Sequence, residues 1–349
     1  MSRPVERVLV VGYGYAGRRF AASIDYLGRR GVPVEIVGFC DSDVTKLPDG
    51  LRSFRDITDA VTQLRPTVVC VTVNESAHIA AFEAIANFPP MLVLAEKPLI
   101  ADPADEKRVT KSLAHHDLSM NLVERYSPIL PEFHSWLEDH GPFQVVRAES
   151  FWGKHRIGDT RPTMGVLSEL IHPLDLVEHV FRTEPFKVKS AAGLVSDFSP
   201  HGTAILDSID VHGTAGSTPV MLHASFAWPA RMRQMTGLLW SRRHGMFRAD
   251  FTFDTPHWDC DQLRISSIGS TGRFNIVHEM QTTNEDVPAE IRGVGKVAAF
   301  IEASIRAWRG QGPRDQLASL MPALRLQRTL DDIDQAAAPA LLSGNYRRT

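Results

Sequence analysis

The stretch that decides the fold is "VLVVGYGYAGRRF", residues 8–20, in which a short aliphatic run ends in a glycine-rich turn. Gly12, Gly14 and Gly17 form the pattern G-x-G-x-x-G, after a predicted strand and before a predicted helix over residues 18–28. The first glycine of this pattern permits a tight turn, the second lets the backbone approach a pyrophosphate, and the third permits close packing of helix and strand. Because the helix N-terminus adds N–H donors, the stretch predicts a dinucleotide site.

An acidic residue further along the chain indicates which dinucleotide binds. Asp41 ends the second predicted strand, residues 34–40, and lies 24 residues after Gly17. A carboxylate at this spacing binds the ribose hydroxyls and repels a 2′-phosphate, so NAD is favoured over NADP. NADP stays possible, because basic residues elsewhere can override that preference. Tyr15 and Ala16, inside the glycine turn, are further predicted cofactor contacts.

The first third of the chain alternates strand-like and helix-like segments. After the strand at 34–40, the apolar runs at 67–73 and 91–96 are predicted to be strands as well. Continuous apolar strands separated by helices are typical of a parallel sheet covered on both faces. We therefore predict an N-terminal doubly wound Rossmann domain over residues 1–122.

From about Gln144 the pattern changes to successive strands joined by Gly-, Ser- and Pro-rich turns. This pattern predicts a second domain, residues 123–349, with a large, mostly antiparallel, open-faced sheet. The predicted strands are 143–152, 186–195, 204–214, 220–228, 235–241, 247–253 and 263–277. Two C-terminal segments, 296–309 and 315–338, are helical in pattern and are expected to be able to pack back on the Rossmann domain.

Composition excludes several classes of partner. The chain of 349 residues is 43% hydrophobic and 23% charged, with a formal net charge of −3, so nothing favours binding to nucleic acid or a membrane surface. It has no apolar run of ~18 residues and no signal-peptide pattern at its N-terminus. Its three cysteines, Cys40, Cys70 and Cys260, are far apart. We therefore predict a cytoplasmic protein without disulfides or a metal site.

A second informative stretch is "GVLSELIHPLDLVEHVF", residues 165–181. Projected on a helix, its large apolar residues fall in one arc about 120° wide. Ser168, His172, Asp175 and His179 fall together in a separate arc about 60° wide, with Glu169 at its edge. Helix faces in water are usually rich in Lys, Glu and Arg, whereas this one carries Ser, His and Asp. The pattern favours a helix that lines a polar site over one whose polar side faces water.

Several motifs together resemble one family. The motif "AEKP", residues 95–98, follows the fourth strand, and together with the histidine-containing helix it is a much more specific signal than the glycine turn. The further similar stretches are "VTVNESAH" (71–78), "NLVERYSP" (121–128), "RPTMGVLSELIHPLD" (161–175) and "IGSTGRFNI" (268–276). The chain thus resembles the glucose–fructose oxidoreductase/inositol dehydrogenase/rhizopine-catabolism (Gfo/Idh/MocA) family over nearly its whole length.

The resemblance implies an NAD(P)-dependent oxidoreductase. Such an enzyme transfers a hydride between nicotinamide and a carbinol or carbonyl carbon of a sugar, cyclitol or sugar-like metabolite. It also implies a homodimer or homotetramer formed through the open sheet face. The implied catalytic residues are Lys97, His172 and Asp175, the further cofactor contacts are Asn74, His78, Glu96 and Lys97 itself, and the implied substrate contacts are Tyr126, Arg161, Glu169, Trp152 and His155.

Two stretches bear on the substrate and the mechanism. "FWGKHR", residues 151–156, suggests a sugar-sized polar substrate, because aromatic rings stack on a sugar face while His and Arg bind hydroxyls or a charge; an exposed loop is the alternative. Ser168 stands where the family commonly has Asp, and the acid follows at Glu169, out of line with His172. A kink at Pro173 could bring Glu169 back toward the site.

The missing acid leaves other functions open. A redox-assisted glycosidase, an imine or tetrapyrrole-type reductase, and a non-catalytic dinucleotide-binding regulator are the alternatives. Because both Lys97 and His172 are retained, the sequence argues against the regulator.

Overall fold

The structure, a computed structural model, describes residues 4–156, 164–195 and 205–337, together with the backbone of residues 341–342. The chain divides into two compact units. The first comprises residues 1–126 and 288–327, and the second comprises residues 127–287 and 328–349. The first break in packing thus follows Tyr126, four residues after the predicted boundary at residue 122, and residues 288–327 belong to the first unit.

The first unit is built on a six-stranded parallel sheet with the order β3-β2-β1-β4-β5-β6. Its strands are β1 Glu6–Val11, β2 Val34–Cys40, β3 Ser53–Phe54, β4 Val68–Val71, β5 Leu92–Ala95 and β6 Asp117–Met120. Its helices are α1 Tyr15–Arg29, α2 Ile57–Leu64, α3 His78–Ile85, α4 Glu106–Ser112 and α7 Gly295–Trp308. The order places β1 beside β4 at the point where the strand order reverses, which is where such sheets bind ligands.

The sequences of these elements explain their positions. Every residue of β4 and β5 is buried, as expected for central strands covered on both faces. Helix α1 buries Phe20, Ile24 and Leu27, which recur at the spacing of one helix face. Phe300 of α7 meets Phe20 edge to face, with ring centroids 6.0 Å apart. The C-terminal segment therefore completes the core of the first unit.

The second unit is built on a nine-stranded sheet with the order β14-β13-β12-β11-β7-β10-β9-β8-β15. Its strands are β7 Gln144–His155, β8 Phe186–Val195, β9 Ser208–Ala215, β10 Thr218–Ser225, β11 Ala227–Ser241, β12 Gly245–Thr252, β13 Gln262–Ile268, β14 Phe274–Gln281 and β15 Leu341–Leu342. The pairs β7–β10 and β8–β15 are parallel and the other pairs are antiparallel. Its helices are α5 Ile129–His140 and α6 Leu167–Phe181, and α8 Leu320–Ala337 contains the last division between the units, after residue 327.

Helices α5 and α6 pack on the same face of this sheet. Phe133 of α5 and Phe181 of α6 both meet Phe251 of β12 edge to face. On β7, Ala148, Ser150 and Trp152 alternate toward the helices and are buried. The residues between them therefore form the opposite, open face of the sheet.

The predicted fold class, a Rossmann sheet followed by a mostly antiparallel sheet, is confirmed. Strand β6 was not predicted, because its sequence "DLSM" carries two polar residues; one of them, Ser119, accepts a 2.9 Å hydrogen bond from Ser304 of α7. The segment predicted as strand at 263–277 forms parts of two strands, β13 and β14. A turn interrupts it, with Gly272 at φ +75° and the N–H of Gly269 donating to the carbonyl of Arg273.

The three cysteines are buried and free, and burial raises the pKa of the Cys40 thiol to about 12. Among the residues that the structure describes, no helix combines the length and apolar character needed to cross a membrane. Within those same residues, His, Cys, Asp and Glu side chains form no group of three or more that could hold a metal ion.

Candidate active site

The glycine turn between β1 and α1 has the geometry that a dinucleotide requires. Gly12 has φ +88°, and a Cβ added there would lie 2.8 Å from the backbone N of Val73. A Cβ on Gly17 would lie 1.9 Å from the carbonyl oxygen of Gly12. A Cβ on Gly14 would meet nothing within 4 Å. Gly12 and Gly17 are therefore required by the protein's own packing, whereas Gly14 leaves open space where a pyrophosphate fits at the start of α1.

Thr72, which follows β4, fixes the turn from behind. Its hydroxyl Oγ1 lies 2.9 Å from the carbonyl oxygen of Val11 and 2.7 Å from that of Gly12. The sequence analysis did not single out Thr72. The sequence feature that could have indicated Thr72 is a hydroxyl residue directly after an apolar strand. Because that strand pairs with β1, the side chain reaches the backbone carbonyls at the start of the glycine turn.

Asp41 lies at the carboxyl end of β2, as predicted, and its carboxylate is held by two backbone donors. The N–H of Tyr13 donates to Oδ2 at 2.7 Å, and the N–H of Asp43 donates to Oδ1 at 2.9 Å. Because an ionised carboxylate has about four acceptor positions, these bonds leave capacity for ribose hydroxyls. The side chain is therefore fixed beside the turn in an orientation suited to that contact.

Tyr15 and Ala16 occupy the first turn of α1. The Tyr15 ring is 62% exposed, and its hydroxyl accepts a 2.7 Å hydrogen bond from Arg19 Nη1. The Arg19 guanidinium also lies 5.3 Å from the Tyr15 ring centroid. Ala16 is half-buried beside the turn. Both residues thus lie at the helix N-terminus, where backbone N–H groups bind anions.

The loop after β4 contains two predicted cofactor contacts with different environments. Asn74 is exposed, and its Oδ1 accepts hydrogen bonds from the N–H (3.1 Å) and the hydroxyl (2.9 Å) of Ser76. His78 is 1% exposed, with Nδ1 3.2 Å from the carbonyl oxygen of Leu99 and Nε2 3.3 Å from that of Val73. Burial lowers the pKa of His78. Both ring nitrogens of His78 thus face backbone carbonyls of the loops around it.

Glu96 and Lys97 follow β5 directly, at the edge of the sheet where ligands bind. The Glu96 carboxylate accepts a 2.8 Å hydrogen bond from Asn121 Nδ2 and a 3.3 Å hydrogen bond from the N–H of Lys97. Lys97 is half-buried. Asn121, which follows β6, was not predicted as a functional residue. It lies in the stretch 121–128, which the resemblance marked, and it fixes the acid beside the lysine.

Tyr126 ends the first segment of the first unit. Its ring meets Phe300 edge to face, with centroids 5.5 Å apart, and its hydroxyl lies 3.5 Å from the carbonyl oxygen of Gln316. These contacts place its hydroxyl on the C-terminal segment of its own unit.

In the second unit, helix α6 begins at a fixed backbone turn. Gly165 has φ +65°, and a Cβ there would lie 2.2 Å from Ile205 and 2.5 Å from the carbonyl oxygen of Leu206. Ser168 is buried and donates from its hydroxyl to the carbonyl of Gly165 at 2.9 Å. The residue at the usual acid position of the family thus closes the first turn of the helix.

His172 and Asp175 are both buried on α6, three residues apart. The His172 ring stacks on Trp152 of β7, with centroids 5.8 Å apart and planes 18° apart. Trp152 has no exposed surface and His155 at the end of the same strand is exposed. The expected stacking of Trp152 on a substrate ring was therefore wrong, because this ring packs under the helix. Arg161 lies outside the described residues.

Glu169 is surrounded by cations. Its Oε1 lies 2.9 Å from Lys154 Nζ and 3.5 Å from Arg156 Nη2, and its Oε2 lies 3.7 Å from Arg233 Nη2. The carboxylate is 1% exposed. Helix α6 continues through Pro173 without a break. Ion pairs to residues of β7 and β11, rather than a break at Pro173, thus determine the position of its carboxylate.

Arg233 of β11 extends this cluster. It is 2% exposed, and its Nη1 donates a 2.7 Å hydrogen bond to the Asp254 carboxylate. Its guanidinium lies 5.1 Å from the Trp152 ring centroid. Sequence reasoning missed Arg233 and Asp254. The alternation of side chains along β11 could have indicated Arg233. It is separated by an even number of residues from the apolar Met235 and Leu239, so it lies on the same, covered face of the sheet.

These observations define a dinucleotide-binding oxidoreductase fold. Residues 6–122 match the family model described as "Oxidoreductase family, NAD-binding Rossmann fold" (GFO_IDH_MocA). This match confirms the family resemblance over residues 6–122, and with it the prediction of an NAD(P)-binding site. No curated protein sequence matches the chain.

Solved structures with the same fold cover nearly the whole chain. UDP-N-acetylglucosamine 3-dehydrogenase GnnA from Acidithiobacillus ferrooxidans has 19% identity and a TM-score of 0.70, over 97% of this chain and 98% of that one. KijD10, a 3-ketoreductase from Actinomadura kijaniata in complex with TDP-benzene and NADP, has 14% identity and a TM-score of 0.71, over 98% and 100%. An oxidoreductase from Agrobacterium radiobacter in complex with NAD+, L-tartaric acid and magnesium has 13% identity and a TM-score of 0.71, over 96% of each chain.

Proposed function

We propose that this NAD(P)-dependent oxidoreductase acts on a CH–OH group, or the corresponding carbonyl, of a sugar, cyclitol or sugar-like metabolite. The observation that carries the proposal is Lys97 at the carboxyl end of β5, in the sheet whose β1 leads into the glycine turn. Ligands of doubly wound sheets bind at this edge. The similarity in fold to a sugar-nucleotide dehydrogenase and a 3-ketoreductase supports the substrate class.

The first unit holds the cofactor. Gly12 and Gly17 form the tight turn, Gly14 leaves room for the pyrophosphate, and Asp41 accepts hydrogen bonds from the adenosine ribose. The carboxylate of Asp41 repels a 2′-phosphate, which favours NAD over NADP. Bound NAD supplies the hydride acceptor when a carbinol is oxidised.

The residues proposed for proton handling are His172, Asp175 and Lys97. Oxidation of a carbinol removes its C–H bond as hydride and its O–H bond as a proton, so the protein must accept that proton. His172 accepts it, and Asp175, one helical turn further on, stabilises the resulting imidazolium. The ammonium group of Lys97 stabilises the negative charge that develops on the substrate oxygen.

The ion pairs of Glu169 bear on which acid of α6 is the partner of His172. Because Glu169 is ion-paired with Lys154, Arg156 and Arg233, it does not act as the missing acid of the proton relay. Ser168 closes the first turn of α6 and carries no charge. Among the acids of α6, Asp175 is therefore the proposed partner of His172. Tyr126, His155 and Arg161 remain the proposed substrate contacts.

The test is a nicotinamide-absorbance assay over a panel of sugars, inositols and sugar nucleotides, with NAD and NADP compared. Lys97→Ala is expected to lower turnover by at least ~10²-fold with near-normal NADH affinity. Lys107→Ala, an exposed lysine of α4, is the matched control.

For the second unit, His172→Phe keeps a ring to stack on Trp152 but removes both nitrogens, and it is expected to lower turnover by at least ~10²-fold. Near-normal rates in the Lys97→Ala and His172→Phe variants would exclude the assigned roles. Tight NADH binding without turnover across the panel would favour the regulator instead.

We also propose a cytoplasmic homodimer or homotetramer formed through the open face of the large sheet. Trp240, Phe274 and Ile276 lie on that face and are 42%, 54% and 56% exposed. Exposed apolar residues in one patch are typical of protein interfaces. Light scattering is expected to give a dimeric or tetrameric mass, which Ile276→Asp should lower, and a monomeric mass of the unmodified chain would contradict the proposal.

A further inference from the structure

His78 connects two loops at the carboxyl edge of the parallel sheet. Its imidazole is 1% exposed, with Nδ1 3.2 Å from the carbonyl oxygen of Leu99 and Nε2 3.3 Å from that of Val73. Neither carbonyl belongs to the helix that His78 begins. The ring thus spans the gap between the segment after β4 and the segment after β5.

Each of these segments has a place in the proposed site. Leu99 lies two residues after Lys97, so a contact that holds the Leu99 carbonyl also restrains the backbone that carries the lysine. Val73 backs the glycine turn, since its N would lie 2.8 Å from a Cβ on Gly12. His78 therefore lies between Val73, which packs behind the glycine turn, and the segment that carries Lys97.

The protonation of the ring decides what it can hold. A neutral imidazole has one N–H, so it can donate to only one of the two carbonyls. Burial lowers the pKa of His78, against the opposing effect of the nearby Glu96 and Glu75 carboxylates, so the ring is neutral at pH 7. A single hydrogen bond from His78, to Leu99 or to Val73, is therefore available at that pH.

We propose that His78 is a positioning residue for Lys97: its Nδ1–H donates to the carbonyl of Leu99 and fixes the lysine segment relative to the glycine turn. The inference rests on the role of Lys97 in the proposed function. A displacement of about 1 Å at a reacting group costs up to about 100-fold in rate. Loss of the His78–Leu99 bond is thus expected to lower the rate without removing any group that touches cofactor or substrate.

Two variants separate the two contacts of the ring. In His78→Asn the side-chain NH2 stands where Nδ1 was and keeps a donor toward Leu99, whereas in His78→Gln it stands where Nε2 was and keeps a donor toward Val73. His116→Gln is the matched control. His116 is also buried, and it contacts the N–H of Met91 and the carbonyl of Ile85, before β5 rather than after it.

The first measurement does not need a substrate. The chain has eight lysines, so NMR of protein labelled with ¹³Cε-lysine gives few signals, and Lys97→Arg assigns the signal of Lys97. With saturating NADH, His78→Gln is expected to shift or broaden the Lys97 signal, His78→Asn to change it less, and His116→Gln to leave it in place.

The second measurement uses the substrate found in the panel. His78→Gln is expected to lower kcat by about tenfold or more, with KM and NADH affinity within about threefold, and His78→Asn to lose less. A merely structural role would lower thermal stability in all three variants without separating Gln from Asn. Thermal unfolding of each variant with NADH establishes that it is folded.

The outcomes are distinct. An unchanged Lys97 signal in folded His78→Gln overturns the proposal, and so does an equal change in Asn and Gln or an equal change in His116→Gln. If no compound of the panel is turned over, the proposed function fails, but the lysine signal still decides whether His78 positions Lys97. If turnover is found and the signal does not respond to His78→Gln, only the positioning role fails.

Discussion

The glycine turn of the first unit and helix α6 of the second are both candidate parts of the site, but they are held in different ways. The turn depends mainly on backbone packing, since Gly17 packs against the Gly12 carbonyl, and the hydroxyl of Thr72 adds one side-chain contact from the end of β4. Helix α6 is held by side chains from distant strands, since Glu169 pairs with Lys154 of β7 and with Arg233 of β11. A site built from backbone is local in sequence, whereas one built from side chains is distributed along the chain.

The largest expected effect comes from Glu169→Ala. This variant leaves Lys154, Arg156 and Arg233 around a buried space without their carboxylate, and removing one partner of a buried ion pair costs about 3–5 kcal/mol. Urea unfolding followed by circular dichroism measures the loss. Glu279→Ala is the control, because the exposed Glu279 of β14 pairs with the exposed Arg264 of β13, so its loss should leave the free energy of unfolding close to unchanged. Similar losses in both variants would mean that α6 does not depend on its ion pairs.

Gly17→Ala is the matching experiment on the turn, with a somewhat smaller expected cost. Its Cβ would overlap the Gly12 carbonyl, and overpacking of this kind costs about 3 kcal/mol and should abolish NADH binding. Gly14→Ala adds the same methyl group where nothing lies within 4 Å. That variant should keep its melting temperature and lose about tenfold in NADH affinity, because the methyl occupies pyrophosphate space. A stable Gly17→Ala variant with normal NADH affinity would contradict the backbone-built turn.

Asp41→Asn tests a side chain that holds the turn through the N–H of Tyr13. It should weaken NAD binding about tenfold, the equivalent of about 1.4 kcal/mol, and narrow the preference for NAD over NADP. Asp43→Asn is the control, because Asp43 lies in the same loop but caps the short helix Val44–Lys46. Isothermal titration with both cofactors gives the affinities. Equal weakening in the two variants would assign the effect to the loop rather than to the carboxylate beside the turn.

The smallest expected effect is a pH dependence in the second unit. His134 of α5 contacts the carbonyl of Val180 in α6 at 3.0 Å, and burial lowers its pKa below the ordinary value of 6.5. Below about pH 6.5 the His134 ring therefore binds a proton more readily in the unfolded chain than in the folded one. The free energy of unfolding consequently falls as the pH falls through this range. Urea unfolding between pH 7 and pH 5 should show a shallower fall for His134→Gln. An identical slope in both proteins would show that His134 does not contribute.

The same comparison explains what could be predicted from the sequence. The glycine turn, Asp41 and the "EKP" motif each stand within a few residues of the strand that positions them, so their places were predicted. The Glu169 cluster could not be, because β7 and β11 become neighbours only when the sheet forms. Trp152 was misassigned for a related reason. The alternation of side chains along β7 determines which face of the sheet carries the Trp152 ring, and a bulge in β7 opposite Leu238 and Leu239 interrupts that alternation.

His78 and Thr72 illustrate a further limit. A histidine in a loop after a strand has the same residue type whether it contacts a ligand or two backbone carbonyls, and only burial separates the two. The same holds for Thr72, whose hydroxyl completes the glycine turn from another strand. Residues that support a site from behind carry no sequence pattern of their own.

The three buried cysteines have a practical consequence for these experiments. Cys40, Cys70 and Cys260 are each inaccessible in the folded chain, and a thiol with a raised pKa, like that of Cys40, is a poor nucleophile near neutral pH. A cysteine introduced at an exposed position outside that sheet, for example by Lys107→Cys on α4, would therefore be the reactive thiol of the native protein. A fluorophore attached there reports subunit exchange directly, without first removing any natural cysteine.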